Sequence, residues 1–273
     1  MPLQVSQLEH EAHRCLLRHG HCSILVMRPC KVLQLAALLA LTTRPVTAAT
    51  MDVTACGQLV PAGATGILRN DLDCPPGFPT VTLGHGATLR MSRHAIRGGL
   101  WLSCSRCKVL GPGEISGATD CAIHTTANPT PDDAGIVARD LDIHDNGLCA
   151  IGVPGRLRLK RVRIARSQFG ILFVQGMEGS DVEVRETSVG IGCNATPACN
   201  EGLPDCLVRL RRLTAVDNGS GIFGCPLALR DSRLEGNDFY DFLTPSPPRL
   251  VRTACERSRM ASSGGSWSVC TAD

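Results

Sequence analysis

The stretch LRLKRVRIARSQFG, residues 157–170, places apolar side chains at Leu157, Leu159, Val162 and Ile164, with Lys160 and Arg161 adjacent in the middle. Read by position, it runs in-out-in, two residues out, then in-out-in. Side chains alternate faces along a strand, so this pattern predicts two short strands joined by a bend. It recurs in GIVARDLDIHDNG (135–147), DVEVRETSVG (181–190), CLVRLRRLTAVDNG (206–219), CPLALRDSRLEGND (225–238) and PRLVRTACERS (248–258). Aligned on one basic residue, the copies stack Arg139, Lys160, Arg185, Arg211, Arg230 and Arg252. The residue before each is apolar. The positions three before and four after are apolar too, except at Arg249 and Glu256 in the last copy.

A unit this small cannot bury its apolar face alone, so copies must stack on one another. The aligned positions step by 21, 25, 26, 19 and 22 residues, and about 20 residues is one coil of a parallel β-helix. Leucine-rich repeats share that period, but they need a Leu/Asn consensus and usually a helix, and this sequence shows neither. The expectation is an all-β solenoid, a single-chain parallel β-helix.

Glycine (28) and proline (17) suit short strands and many turns. The hydrophobic run Val32–Thr43 is too short to span a bilayer as a helix. It reads as a signal peptide over 27–49, with the basic MRPCK, the apolar VLQLAALLALTT and the small-residue site Val46–Ala48. Cleavage is expected after Ala48 or Ala49. Residues 1–26 then read as a mis-started or disordered leader. Within them HEAHRCLLRHGHC clusters His and Cys, but without the HExxH or structural-zinc spacing. The division expected after the signal is a cap over 50–79, a β-helix over 80–260 and a tail over 261–273.

The whole chain carries 28 Lys+Arg against 25 Asp+Glu. Residues 1–48 hold Arg14, Arg18, Arg28, Lys31 and Arg44 against Glu9 and Glu11, which leaves 23 of each sign beyond them. A neutral exported part has no global field for nucleic acid, so any basic surface is local. Twelve of the 15 cysteines follow the leader, an even number that fits an oxidising compartment, secreted or periplasmic. Connectivity cannot be read from sequence; proximity suggests Cys56–Cys74, Cys104–Cys107, Cys121–Cys149, Cys193–Cys199, Cys206–Cys225 and Cys255–Cys270. The CSRC at 104–107 lacks the βαβ context of a redox CxxC and reads as a stapled turn.

TVTLGHGATLRMSRHAIRGG (80–99), followed by CSRCKVLGPGEISGA (104–118), resembles the opening coils of secreted bacterial right-handed parallel β-helix proteins of the pectate-lyase-like superfamily. Leu89, Met91, His94, Ile96 and Gly98, then Gly111, Pro112, Gly113, Ile115 and Gly117, carry the likeness; Ser92 and Arg93 stand where the family more often has Asn-Gly. CGQLVPAG…LRNDLDCP (56–75) resembles the preceding cap. The resemblance covers about residues 52–260 and implies a right-handed coil. It leaves function open, because many functions share the fold.

The stacked column Arg139, Lys160, Arg185, Arg211, Arg230 and Arg252 is the candidate ligand-binding feature. With strands about 4.8 Å apart it would form a ladder of about 24 Å suited to an acidic polysaccharide. Acidic neighbours such as Asp140, Glu186 and Asp231 would neutralise part of it, and long Arg stems also cover apolar edges simply by packing.

Lyases on the resembled fold use an Arg or Lys base and acidic residues or calcium. By that analogy Lys160 is the candidate base, flanked by Arg158 and Arg163, because crowding by like charge favours the neutral amine a base needs. Asp140, Asp142 and Asp145 are the candidate ligands for a cation, calcium being the one implied. The cysteine-closed segment 193–206 and the Pro/Thr/Asp-rich 121–135 are expected as loops walling a groove.

GHG (84–86) with Asp132-Asp133 resembles polygalacturonase elements in reversed order, and DIHD (142–145) lacks the proline of the epimerase motif it resembles. Ile143 should face inward, which makes DIHD an ordinary turn. His94 is read as a core histidine and His124 as a freer one. The few aromatic residues argue against stacking of neutral sugars; the FYDF cluster (239–242) and Trp267 are expected to plug the open end of the solenoid. Two functions stand: an exported β-helix that binds or organises an acidic polysaccharide, and a polysaccharide lyase. A monomer is expected, with no nucleic-acid partner and no membrane span after signal cleavage.

Overall fold

A computed structural model describes residues 49–75, 79–102, 106–125, 135–173, 175–193 and 207–273. These residues form 22 strands and no helix, joined in one sheet whose pairings are all parallel. The pairings fall into three ladders, which the chain visits in the same order each time round. Arg156–Phe173 shows one full coil. Arg158–Lys160 lies in the first ladder, Arg163–Ala165 in the second and Ile171–Phe173 in the third. The next coil resumes the first ladder at Glu178. This order is consistent with a β-helix.

The inward columns explain the stability. In the second ladder Ile96, Ile115, Ile143, Ile164, Val184, Ala215, Leu234 and Cys255 stack in register, all buried. In the third, Leu100, Ile123, Ile151, Ile171, Ile191, Ile222 and Phe242 do the same. Burying each such side chain contributes about 1.5–3 kcal/mol, and β-branched residues fit the pleat. Ile143 is among them, so DIHD is a turn flank.

From the Arg139 coil onward the first and second ladders are joined by a single residue, whereas Gly111 and Pro112 make the connection two residues long in the coil before. Asp140, Arg161, Asp181, Arg212 and Asp231 each hold this bend with φ between 52° and 60°, and Arg252 follows at 47°. A left-handed backbone is costly for a residue with a Cβ, although Asp tolerates it. The bend therefore explains the two outward residues in the sequence pattern. At the next corner the inward side chains are polar and stacked: Asn146, Ser167, Thr187, Asn218 and Asn237, all buried. Asn218 Oδ1 accepts from the Thr187 backbone N–H (3.1 Å) and hydroxyl (2.8 Å), while its Nδ2 donates to Val184 O and Asn237 Oδ1.

The structure corrects several expectations. The register aligns Arg139 and Lys160 with Ser180, Arg211, Arg230 and Val251, so Arg185 and Arg252 leave the column. Arg185 lies in the second ladder opposite Ala165, and Arg252 holds a bend. Within the segment 50–79, Thr50–Val53 and Thr65–Leu68 already pair into the first ladder.

Cys56–Cys74, Cys121–Cys149 and Cys255–Cys270 pair as expected. Cys193 instead pairs with Cys225, which overturns both Cys193–Cys199 and Cys206–Cys225. The physical reason is register: Gly192 lies opposite Phe223, so Cys193 and Cys225, one and two residues further on, come together on adjacent coils. Cys107 is disulfide-bonded, but Cys104, Cys199 and Cys206 lie outside the described residues.

His94 is not in the core; its side chain is partly exposed and its Nδ1 meets Asp71 Oδ1 at 3.3 Å. FYDF does not act as one plug, since Phe242 is a buried ladder residue and Phe239 is 71% exposed. Trp267 does pack against the core, with Nε1 donating to Arg259 O.

Candidate functional site

The three ladders present chemically different outer faces. On the second, Asp73, Glu114, Asp142, Glu183 and Glu235 are interleaved with Arg97, Arg163, Arg185 and Arg233. Most of these pair with one another: Arg163–Glu183 is 3.4 Å, Arg185–Glu183 3.8 Å and His144–Glu114 3.3 Å. The third ladder's outward column from Leu59 to Leu243 carries no Asp, Glu, Lys or Arg, and includes Trp101, His124, Leu172 and Phe223. Trp101 and His124 meet edge-on with ring centres 6.3 Å apart.

The first ladder's outer face is cationic. Two outward columns bring together Arg90, Lys108, Arg139, Arg158, Lys160, Arg209, Arg211, Arg230 and Arg249, all exposed. From the Arg90 coil onward, Glu178 is the sole acidic residue in these columns. Lys108, Arg158 and Lys160 have no ion pair within 4.0 Å among the described residues, whereas Arg209 meets Glu178 at 3.6 Å. The bend acids approach from the side: Asp231 lies 3.5 Å from both Arg211 and Arg230, and Asp140 4.0 Å from Arg139.

The bend itself lines a groove of about 640 Å³. Its charged walls are Arg93, Arg161, Arg163 and Arg212 against Glu114, Asp140, Asp142, Asp181 and Glu183. Bend residues pair across coils. Arg161 grips Asp140 through two bonds, and Arg212 grips Asp181 at 2.5 and 2.8 Å. The Arg161 guanidinium holds the Asp140 carboxyl below its ordinary range, and Arg212 brings Asp181 down to about 2. At the next corner Arg166 binds Asp145, which is lowered chiefly by that guanidinium and then by His144. The groove is thus close to neutral, and most of its charged side chains are paired with one another or with a neighbour.

The expected catalytic group is divided by the bend. Arg158 and Lys160 face out from the first ladder, and Arg163 from the second. The expected cation ligands are also dispersed: Asp140 and Asp145 occupy different corners, each engaged by an arginine. Among the described residues no group of three or more His, Cys, Asp or Glu side chains is placed to hold a metal ion. Of the expected loop walls, 126–134 and 194–206 lie outside the described residues, as does Asp132-Asp133; Cys121–Thr125, with His124, is a third-ladder strand.

Five of the nine cations, Arg90, Lys108, Arg158, Arg209 and Arg249, lie outside the column that the sequence repeat aligns. Arg249 was the signal: it breaks the inward column when the last copy is aligned on Arg252. A shift of one residue turns it outward opposite Ala228 and puts Leu250 inside opposite Leu229. Compared with family models, curated proteins and solved structures, the chain matches none. No helix among the described residues is long and apolar enough to cross a membrane.

Proposed function

We propose that this chain is an exported right-handed parallel β-helix protein of pectate-lyase-like architecture, which binds or organises an acidic polysaccharide on its first-ladder face. The observation that carries the reading is the concentration of nine Lys and Arg side chains on that face, with Glu178 as the acidic residue among them. The second face is balanced and the third uncharged over most of its length, so the attraction is directed to one side. Rigid strands set the cations at fixed spacing, and Arg forks suit carboxylates. The disulfides support an oxidising compartment.

Retention on immobilised anionic glycans, against a neutral glycan control, tests the reading. Arg158→Ala with Lys160→Ala should elute at clearly lower salt than the parent protein. Equal elution of parent and variant, or no retention of the parent, would remove the proposal.

A second reading, β-elimination on a uronate-containing glycan, draws on Lys160, which has no ion pair within 4.0 Å among the described residues. Ultraviolet absorbance of the unsaturated product, measured with and without calcium over a panel of uronate polymers, separates the two. A rise makes the protein a lyase. A flat trace with retained binding favours the non-catalytic role.

A further inference from the structure

The cationic face is interrupted. Between the coil carrying Arg158 and Lys160 and the coil carrying Arg209 and Arg211 runs one whose outward residues are Glu178 and Ser180. That coil contributes no cation. Its carboxylate also lies 3.6 Å from Arg209, drawing charge from the edge of the following patch. On either side the basic residues continue for further coils, from Arg90 on one side and to Arg249 on the other.

Neighbouring strands lie about 4.8 Å apart, so the patch from Arg90 extends about 14 Å and the other about 10 Å, the interruption spans about 10 Å, and the whole array extends about 34 Å. The screening length near 0.1 M salt is also about 10 Å. At that ionic strength the potential of one patch has decayed substantially by the near edge of the other.

We propose that the first-ladder face is a bipartite site that discriminates polyanions by length, favouring linear chains that run across the coils and engage both patches. The inference rests on the polyanion-binding reading above and specifies its selectivity. A short oligomer fills one patch. A long one, once held at the first patch, meets the second at high effective concentration, and the two contacts multiply. Glu178 sets the threshold, because a fragment centred on the interruption meets a carboxylate. As the ionic strength falls, the screening length grows past the gap and the patches merge.

The test uses the oxidised full chain and size-fractionated oligouronates, some reaching about 10 Å and others about 30 Å. At 0.1 M salt the long chains should bind at least about tenfold more tightly than the short ones. Arg209→Ala with Arg211→Ala should remove most of that advantage while leaving short-chain affinity within about twofold, the other patch being intact. Glu178→Gln, a change at an exposed position, should narrow the ratio by strengthening short-chain binding. Lowering the salt should narrow it as well. Affinities of long and short chains within about twofold, or an advantage unchanged in the double variant, would overturn the length reading while leaving polyanion binding intact. Failure of every length to bind would overturn both.

Discussion

Asp181 and Arg212 stand 31 residues apart in sequence, yet they hold the same one-residue bend on adjacent coils, joined by two bonds of 2.5 and 2.8 Å. Asp140 with Arg161 and Asp231 with Arg252 repeat the arrangement, so the bend column alternates in sign along the stack. A guanidinium fork locks onto a carboxylate in fixed geometry, which offsets part of the cost of a left-handed backbone at an arginine.

That column makes stability sensitive to acid. Asp181 has its pKa brought down from 3.8 to about 2. A carboxylate that is more acidic when folded than when unfolded stabilises fully above its unfolded pKa, and the contribution fades as pH falls through the folded value. Asp181→Asn keeps a side chain that tolerates the bend and removes the charge. At pH 7 it should cost about 0.5–1 kcal/mol, as partly exposed pairs do. Urea midpoints of parent and variant should converge by about pH 2. A deficit that persists undiminished at that pH would show that charge is not the cause.

Asn218 and Asn237 are the most heavily committed side chains of the buried polar corner, each making four hydrogen bonds. Truncation of Asn218 to Ala leaves donors and acceptors of Thr187, Val184 and Asn237 without their partner. The expected loss is about 2–4 kcal/mol, from unpaired buried groups plus a small cavity. Denaturant unfolding of Asn218→Ala measures it, and a loss below 1 kcal/mol would contradict the network.

Cys193–Cys225 joins adjacent coils rather than closing a loop within one. Peptide mapping of unreduced protein should recover that linkage and no Cys193–Cys199 species. Replacing both cysteines with Ser should lower stability by about 2–4 kcal/mol.

Arg163 marks the edge of the proposed binding surface. It faces away from the cationic array and pairs with Glu183 at 3.4 Å. Arg163→Ala should leave retention on anionic glycans unchanged, whereas Arg158→Ala should weaken it. Equal weakening would extend the binding surface across the bend.

Much of the coil was legible in the sequence, because an in-out-in pattern is a direct record of which side chains are buried. Leu157, Leu159, Val162 and Ile164 are all buried, and Lys160 and Arg161 both face out. The alignment failed at DVEV (181–184), because Val182 and Val184 satisfy the alternation of either strand of a coil. They belong to the second ladder, and the less apolar Met177–Ser180 fills the first. Placed there, the steps become 21, 20, 31, 19 and 21, and one long step absorbs the insertion that had been spread over two. The cationic face was hidden by the same error, since its second column appears once the copies are in register. Cys193–Cys225 could not be deduced, because partners on adjacent coils are as close in space as neighbours along the chain.

The uniform one-residue bend has a consequence for how such a chain can vary. From the Arg139 coil onward the connection between the first and second ladders keeps one length, and removing its single residue would shift the alternation of the following strand. Between the third ladder and the next coil, by contrast, the interval is four residues from Phe173 to Glu178 but fifteen from Cys193 to Arg209. The other two corners vary by only a residue or two from the Lys108 coil onward, so the large differences in length fall at this one. New sequence can be inserted there, and chemistry added or lost, while every coil above and below keeps its place.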